Sequence, residues 1–113
     1  DDVEKALIPM KHSLALYIGG MGAKSRNFHN ELVKRMGFEE AADKIQDLFL
    51  AGKKDEAAAA VPTELADEIS LVGSIDRIKD RLQAWEETPV TSLLVSTRNT
   101  DELRTFAELV LGR

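Results

Sequence analysis

Three of the seven glycines crowd into one short stretch, Gly19, Gly20 and Gly22, and Lys24, Ser25 and Arg26 follow at once. Glycine lets a backbone approach a ligand closely, and two cations beside it attract an anion. A nucleotide-triphosphate loop needs Gly, four residues, then Gly-Lys-Ser/Thr. Aligning on Lys24-Ser25 puts Ala23 and Ile18 where those glycines belong. The stretch also follows a helical pattern where that motif requires a strand. The dinucleotide pattern fails as well, because Ser25 stands at its third glycine. Two readings stay open: a turn between helices, or a ligand-facing loop.

Gly73-Ser74 offers a second candidate. It opens a helical pattern, and free N–H groups at a helix start attract anions. The plainer reading is a glycine turn with a serine cap. Arg98, within Ser96-Thr97-Arg98-Asn99, is the third, since a guanidinium can clamp a carboxylate or phosphate. Its plainer reading is a solvent-exposed loop. The other chemistry-bearing residues lead nowhere. His12 and His29 have no companions at metal-ligand spacing. Glu39-Glu40, Asp67-Glu68 and Glu86-Glu87 are adjacent in sequence and point apart on a helix, so they are not acid/base dyads. No Ser-His-Asp set or cofactor-attaching Lys is visible, and there is no Cys.

These residues need elements to hold them. Val3, Ala6, Leu7 and Met10 recur at helical spacing, with a break expected at Pro9. A helix then carries Leu14, Tyr17 and Ile18 and ends at Gly19-Gly20. Another runs from about Ser25 to Met36 with Phe28, Leu32 and Val33 inward, closed by Gly37. Glu39 to Ala51 is a third, with Ala42, Ile45, Leu48 and Phe49 apolar. Lys53 to Ala60 is short and alanine-rich, and Pro62 starts a helix through Glu68. From Ser70 to Thr97 the pattern changes to strand, helix, strand. Leu71-Val72 stops at Gly73. Ser74 caps a helix built on Ile75, Ile78, Leu82 and Trp85, and Val90 to Val95 is a second apolar run. Thr100 then caps a last helix with Leu103, Phe106, Ala107 and Val110 buried. The expected fold class is therefore α/β: a helical segment over 1–68, then a β-α-β-α unit over 69–113 with a right-handed crossover.

The bulk composition restricts the partners. At 113 residues with 31% charged and 43% hydrophobic residues, the chain is one ordinary domain at most. A net charge of -5, with no basic stripe, argues against a nucleic-acid backbone. No apolar run approaches a bilayer span. The lack of Cys suits a reducing cytoplasm, the expected location. Two parallel strands alone leave unpaired edges, which predicts a homo-oligomer, most simply a two-fold dimer burying those edges or the sheet face. The chain opens on Asp1-Asp2 without Met and is read as a piece of something longer.

Three phrases, LALYIGGMGAKSRNF, IQDLFLAGKKDEAAAAVPTELADEISLVGS and DRIKDRLQAWEETPVTSLLVS, together resemble the carboxyl-terminal part of the luciferase-like monooxygenase family. The likeness is greatest to its deazaflavin (coenzyme F420)-dependent oxidoreductases. It covers nearly the whole chain and rests on the order of the pieces. The resemblance implies a TIM (β/α)8 barrel, with Ile69–Val72 as its seventh strand and Thr91–Val95 as its eighth. It also implies hydride transfer in the intact protein with F420, or alternatively FMN, and an inactive fragment. The cofactor-binding candidates are Gly19, Gly20, Gly22, Gly73, Ser74 and Arg98. An arginine that binds substrate phosphate just before strand seven in some relatives has no counterpart in Asp67-Glu68-Ile69. Glu87-Thr88-Pro89-Val90 also lacks the usual glycine before strand eight. The competing expectation is a small non-enzymatic α/β module that associates through sheet edges and helix faces.

Overall fold

The structure, a computed structural model, describes residues 2–112; the ends of the expected domain, Asp1 and Arg113, lie outside them. Two compact units emerge, 2–72 and 73–112.

The first unit is a helical assembly. α1 (Val3–Ala6) is capped by the Asp2 side chain, which accepts from Lys5 N. It stops at Leu7, because Pro9 supplies no N–H and takes its place in the first turn of α2 (Ile8–Ala15). The chain then widens into one π-helical segment, Leu16–Gly20. α3 (Phe28–Arg35) follows, with Asn27 as its cap. Gly37 closes it at φ +96°, a left-handed position that glycine takes at little cost. α4 (Glu39–Leu50) places two acids at the positive end of its dipole and turns Ala42, Ile45 and Gln46 inward. α5 (Lys54–Ala59) and α6 (Thr63–Glu68) complete the unit, with Pro62 just outside α6 as its N-cap. Leu7, Ile18, Ile45, Val61 and Leu65 are fully buried. Each side chain of that kind contributes about 1.5–3 kcal/mol of hydrophobic stabilisation. The small residues Ala15, Ala42, Ala57 and Ala58 fill the same core, so the helices pack closely.

The second unit holds α7 (Ile75–Glu86) and α8 (Thr100–Leu111). Ser74 Oγ accepts from Arg77 N at 3.2 Å, as its capping pattern predicts. Asn99, rather than Thr100, caps α8.

The expected β-α-β-α unit is absent. No β-strand forms among the described residues, so there is no sheet, no parallel crossover and no partial TIM barrel; one isolated bridge joins Ala23 and Arg26. Ile69 is consumed as the C-cap of α6, and Val72 packs against the helical core. Thr91–Val95 is neither helix nor strand. A β-prone run becomes a strand only when neighbours receive its N–H and C=O groups, and two short runs do not supply a sheet. The dimer expected through strand edges falls with the strands, and so do the sheet edges of the competing module. Phe28, expected inward, is largely exposed and Leu32 is partly so, while Asn30 and Val33 take the buried face of α3.

Candidate functional site

The glycine-rich stretch forms the turn between the π-helical segment and α3. A π turn shifts the backbone hydrogen-bond register and releases carbonyls from their usual partners. Two buried asparagines take them up. Asn27 Nδ2 donates to the carbonyls of Tyr17 (3.1 Å) and Ile18 (2.9 Å). Asn30 Nδ2 donates to Ile18 O at 3.2 Å and Ala42 O at 2.9 Å. The pair is itself locked, since Asn27 Oδ1 accepts from Asn30 N at 3.0 Å. Sequence reading passed over both residues. The available signal was Asn27 standing directly before an amphipathic run, an N-cap position.

Gly19 and Gly20 face Phe49 of α4. A Cβ on either would overlap the Phe49 side chain, and one on Gly19 would also lie 3.2 Å from Ile45 O. Their bare faces are thus filled by a ring from the same protein. Gly22 turns toward the Arg26 carbonyl and the Asn27 backbone. Lys24 Nζ pairs with Asp47 on α4 at 2.6 Å, which clips the turn to that helix. This hydrogen bond, and then the charge of Asp47, raise the Lys24 pKa above the ordinary lysine value. Lys34 is raised in the same way, first by its hydrogen bond to Asp43, with Nζ and Oδ1 2.8 Å apart. His29 meets Tyr17 edge-on, with ring centroids 4.9 Å apart.

The remaining candidates lie in the second unit. Gly73 adopts φ +126°, and a Cβ there would come within 2.8 Å of Arg77 Cδ. Arg98 is taken up by Glu102: its backbone N donates to Oε2 at 2.9 Å and its Nε to Oε1 at 3.1 Å. The backbone contact, and then the guanidinium, hold Glu102 below the usual carboxylate range. Arg98 and Ser74 are thus each engaged locally, with Glu102 and with Arg77. Among the described residues, no group of three or more His, Cys, Asp or Glu is placed to hold a metal ion. None of their helices is long and apolar enough to cross a membrane.

The family model for luciferase-like monooxygenases matches residues 1–92. The chain belongs to that family. It is also 41% identical over 110 residues to a Mycobacterium tuberculosis protein that carries the name of a coenzyme F420-dependent oxidoreductase. That alignment takes in 97% of this chain and 32% of the relative, so the chain spans about a third of the relative's length. No solved structure matches the chain significantly. Family membership and the named relative tie the chain to flavin- and F420-linked oxidoreductases at the level of the family.

Proposed function

We propose that this chain is a carboxyl-terminal piece of a longer oxidoreductase that transfers hydride with coenzyme F420, or alternatively FMN, and that the piece alone does not catalyse the reaction. The observation that carries the reading is 41% identity across nearly the whole chain to a relative about three times as long, whose name specifies F420. Bound to the intact protein, the cofactor supplies the hydride chemistry. Phe49 occupies the faces of Gly19 and Gly20, Ser74 caps its own helix, and Arg98 is neutralised by Glu102. The cofactor's main contacts are assigned to the remainder of the longer protein.

Fluorescence titration of the 113-residue chain with F420 and with FMN tests this. The expected result is no saturable binding at micromolar ligand. Tight, stoichiometric binding of either cofactor by the chain alone would overturn the proposal.

A further inference from the structure

We propose that a hollow between α2 and α5 of the first unit binds a small zwitterion of dipeptide size, its carboxylate held from α2 and its ammonium from α5. The hollow has a volume of about 370 Å³. Small-molecule sites run from roughly 300 to 1,000 Å³, so it stands at the lower end of that range. Ile8, Lys11 and His12 line it from α2, and Asp55, Ala58 and Ala59 line it from α5. Its space comes from the short alanine side chains. Ala58 is buried, and Ala59 is exposed on the same helix.

The polar groups are divided by helix, with the N–H donors on α2 and the carboxylate on α5. Lys11 Nζ donates to Thr63 Oγ1 at 2.7 Å, which fixes the ammonium and leaves it two further N–H donors. Neither His12 nor Asp55 is ion-paired with any described residue. An acid and a base that line one hollow without closing on each other can each meet a ligand group of opposite character. A plain anion would suit Lys11 and His12 but be repelled by Asp55, and a plain cation would meet the reverse. A metal ion does not fit, because no three ligating residues converge among the described residues. A ligand with both charges satisfies all three groups, and Ile8, Ala58 and Ala59 receive the aliphatic stretch between its ends. The site involves none of the cofactor candidates and stands apart from the oxidoreductase reading.

The test is a heteronuclear NMR titration of the 113-residue chain with alanyl-alanine. Saturable shifts are expected at the amides of Ile8, His12, Asp55 and Ala58, with half-saturation in the millimolar range. Acetyl-alanyl-alanine, which lacks the ammonium, should bind at least about tenfold more weakly to the unaltered protein. Asp55→Asn, at an exposed position, should weaken alanyl-alanine by a similar factor and remove the difference between the two peptides. Ala59→Leu, also at an exposed position and favourable to a helix, fills the hollow and should abolish the shifts while the circular dichroism is unchanged. The absence of saturable shifts overturns the proposal. So does equal binding of the acetylated peptide, which would mark a plain anion site. Shifts that persist in Ala59→Leu place the ligand elsewhere and overturn it as well.

Discussion

Asn27→Ala is the substitution that most directly probes what holds the glycine turn. Asn27 is 3% exposed and does two jobs at once. Its Oδ1 caps α3, and its Nδ2 serves the Tyr17 and Ile18 carbonyls. Losing an N-cap removes about 1 kcal/mol. Stripping a partner from a buried carbonyl removes about 1–3 kcal/mol. Ile18 O keeps Asn30 Nδ2 at 3.2 Å, so one carbonyl loses its side-chain donor outright and the other is weakened. The sum is about 3 kcal/mol, or on the order of 12–24 °C in Tm at the 4–8 °C per kcal/mol of a small domain. Asn99→Ala is the control, because Asn99 caps α8 in the same way but is exposed, and its further contact is with the exposed Glu102 carboxyl; it should cost about 1 kcal/mol. Asn27→Ser, which retains a cap without the amide donors, should fall between them. Urea unfolding followed by circular dichroism, with hydrogen exchange to separate the two units, gives all three values. If Asn27→Ala costs no more than Asn99→Ala, the amide bonds to the π turn are not what stabilises it.

Gly20→Ala should destabilise the first unit by about 1–3 kcal/mol, since its Cβ overlaps the Phe49 ring. Adding Phe49→Ala should cost less than the sum of the single changes, and strict additivity in that double-mutant cycle would refute the packing role. Acidification should loosen the start of α8. The folded Glu102 pKa lies below its unfolded value, so the stabilisation is present above the unfolded value and fades as pH falls through the folded one. Glu102→Gln should remove that acid-range change in α8 exchange. The Lys24–Asp47 clip runs the other way. With the folded lysine raised, its contribution is complete below the unfolded value and disappears only as strongly alkaline pH passes the folded one. High salt should erode this exposed pair as well, read as faster exchange in residues 21–27.

Much of the helical framework was readable in the order of residues. The break at Pro9, the Ser74 cap, the Gly37 closure and the inward face of Ala42 and Ile45 are local facts, set by φ restriction, capping chemistry and 3.6-residue spacing. Residues whose surroundings depend on a partner elsewhere in the chain were less legible. Gly19 and Gly20 resembled a ligand loop because the requirement for glycine is visible in a sequence, while the ring that imposes it lies some thirty residues away in Phe49. Arg98 looked available until Glu102, one helical turn on, claimed it.

By itself, the sequence determined most of the helical segments, the absence of thiol chemistry, and the resemblance that family comparison later supported. Tertiary structure alone decided whether Leu71-Val72 and Val90 to Val95 became strands. Helical hydrogen bonds close within one segment, whereas strand hydrogen bonds need a neighbouring chain segment, so β-propensity without a partner leaves an exposed, unpaired run.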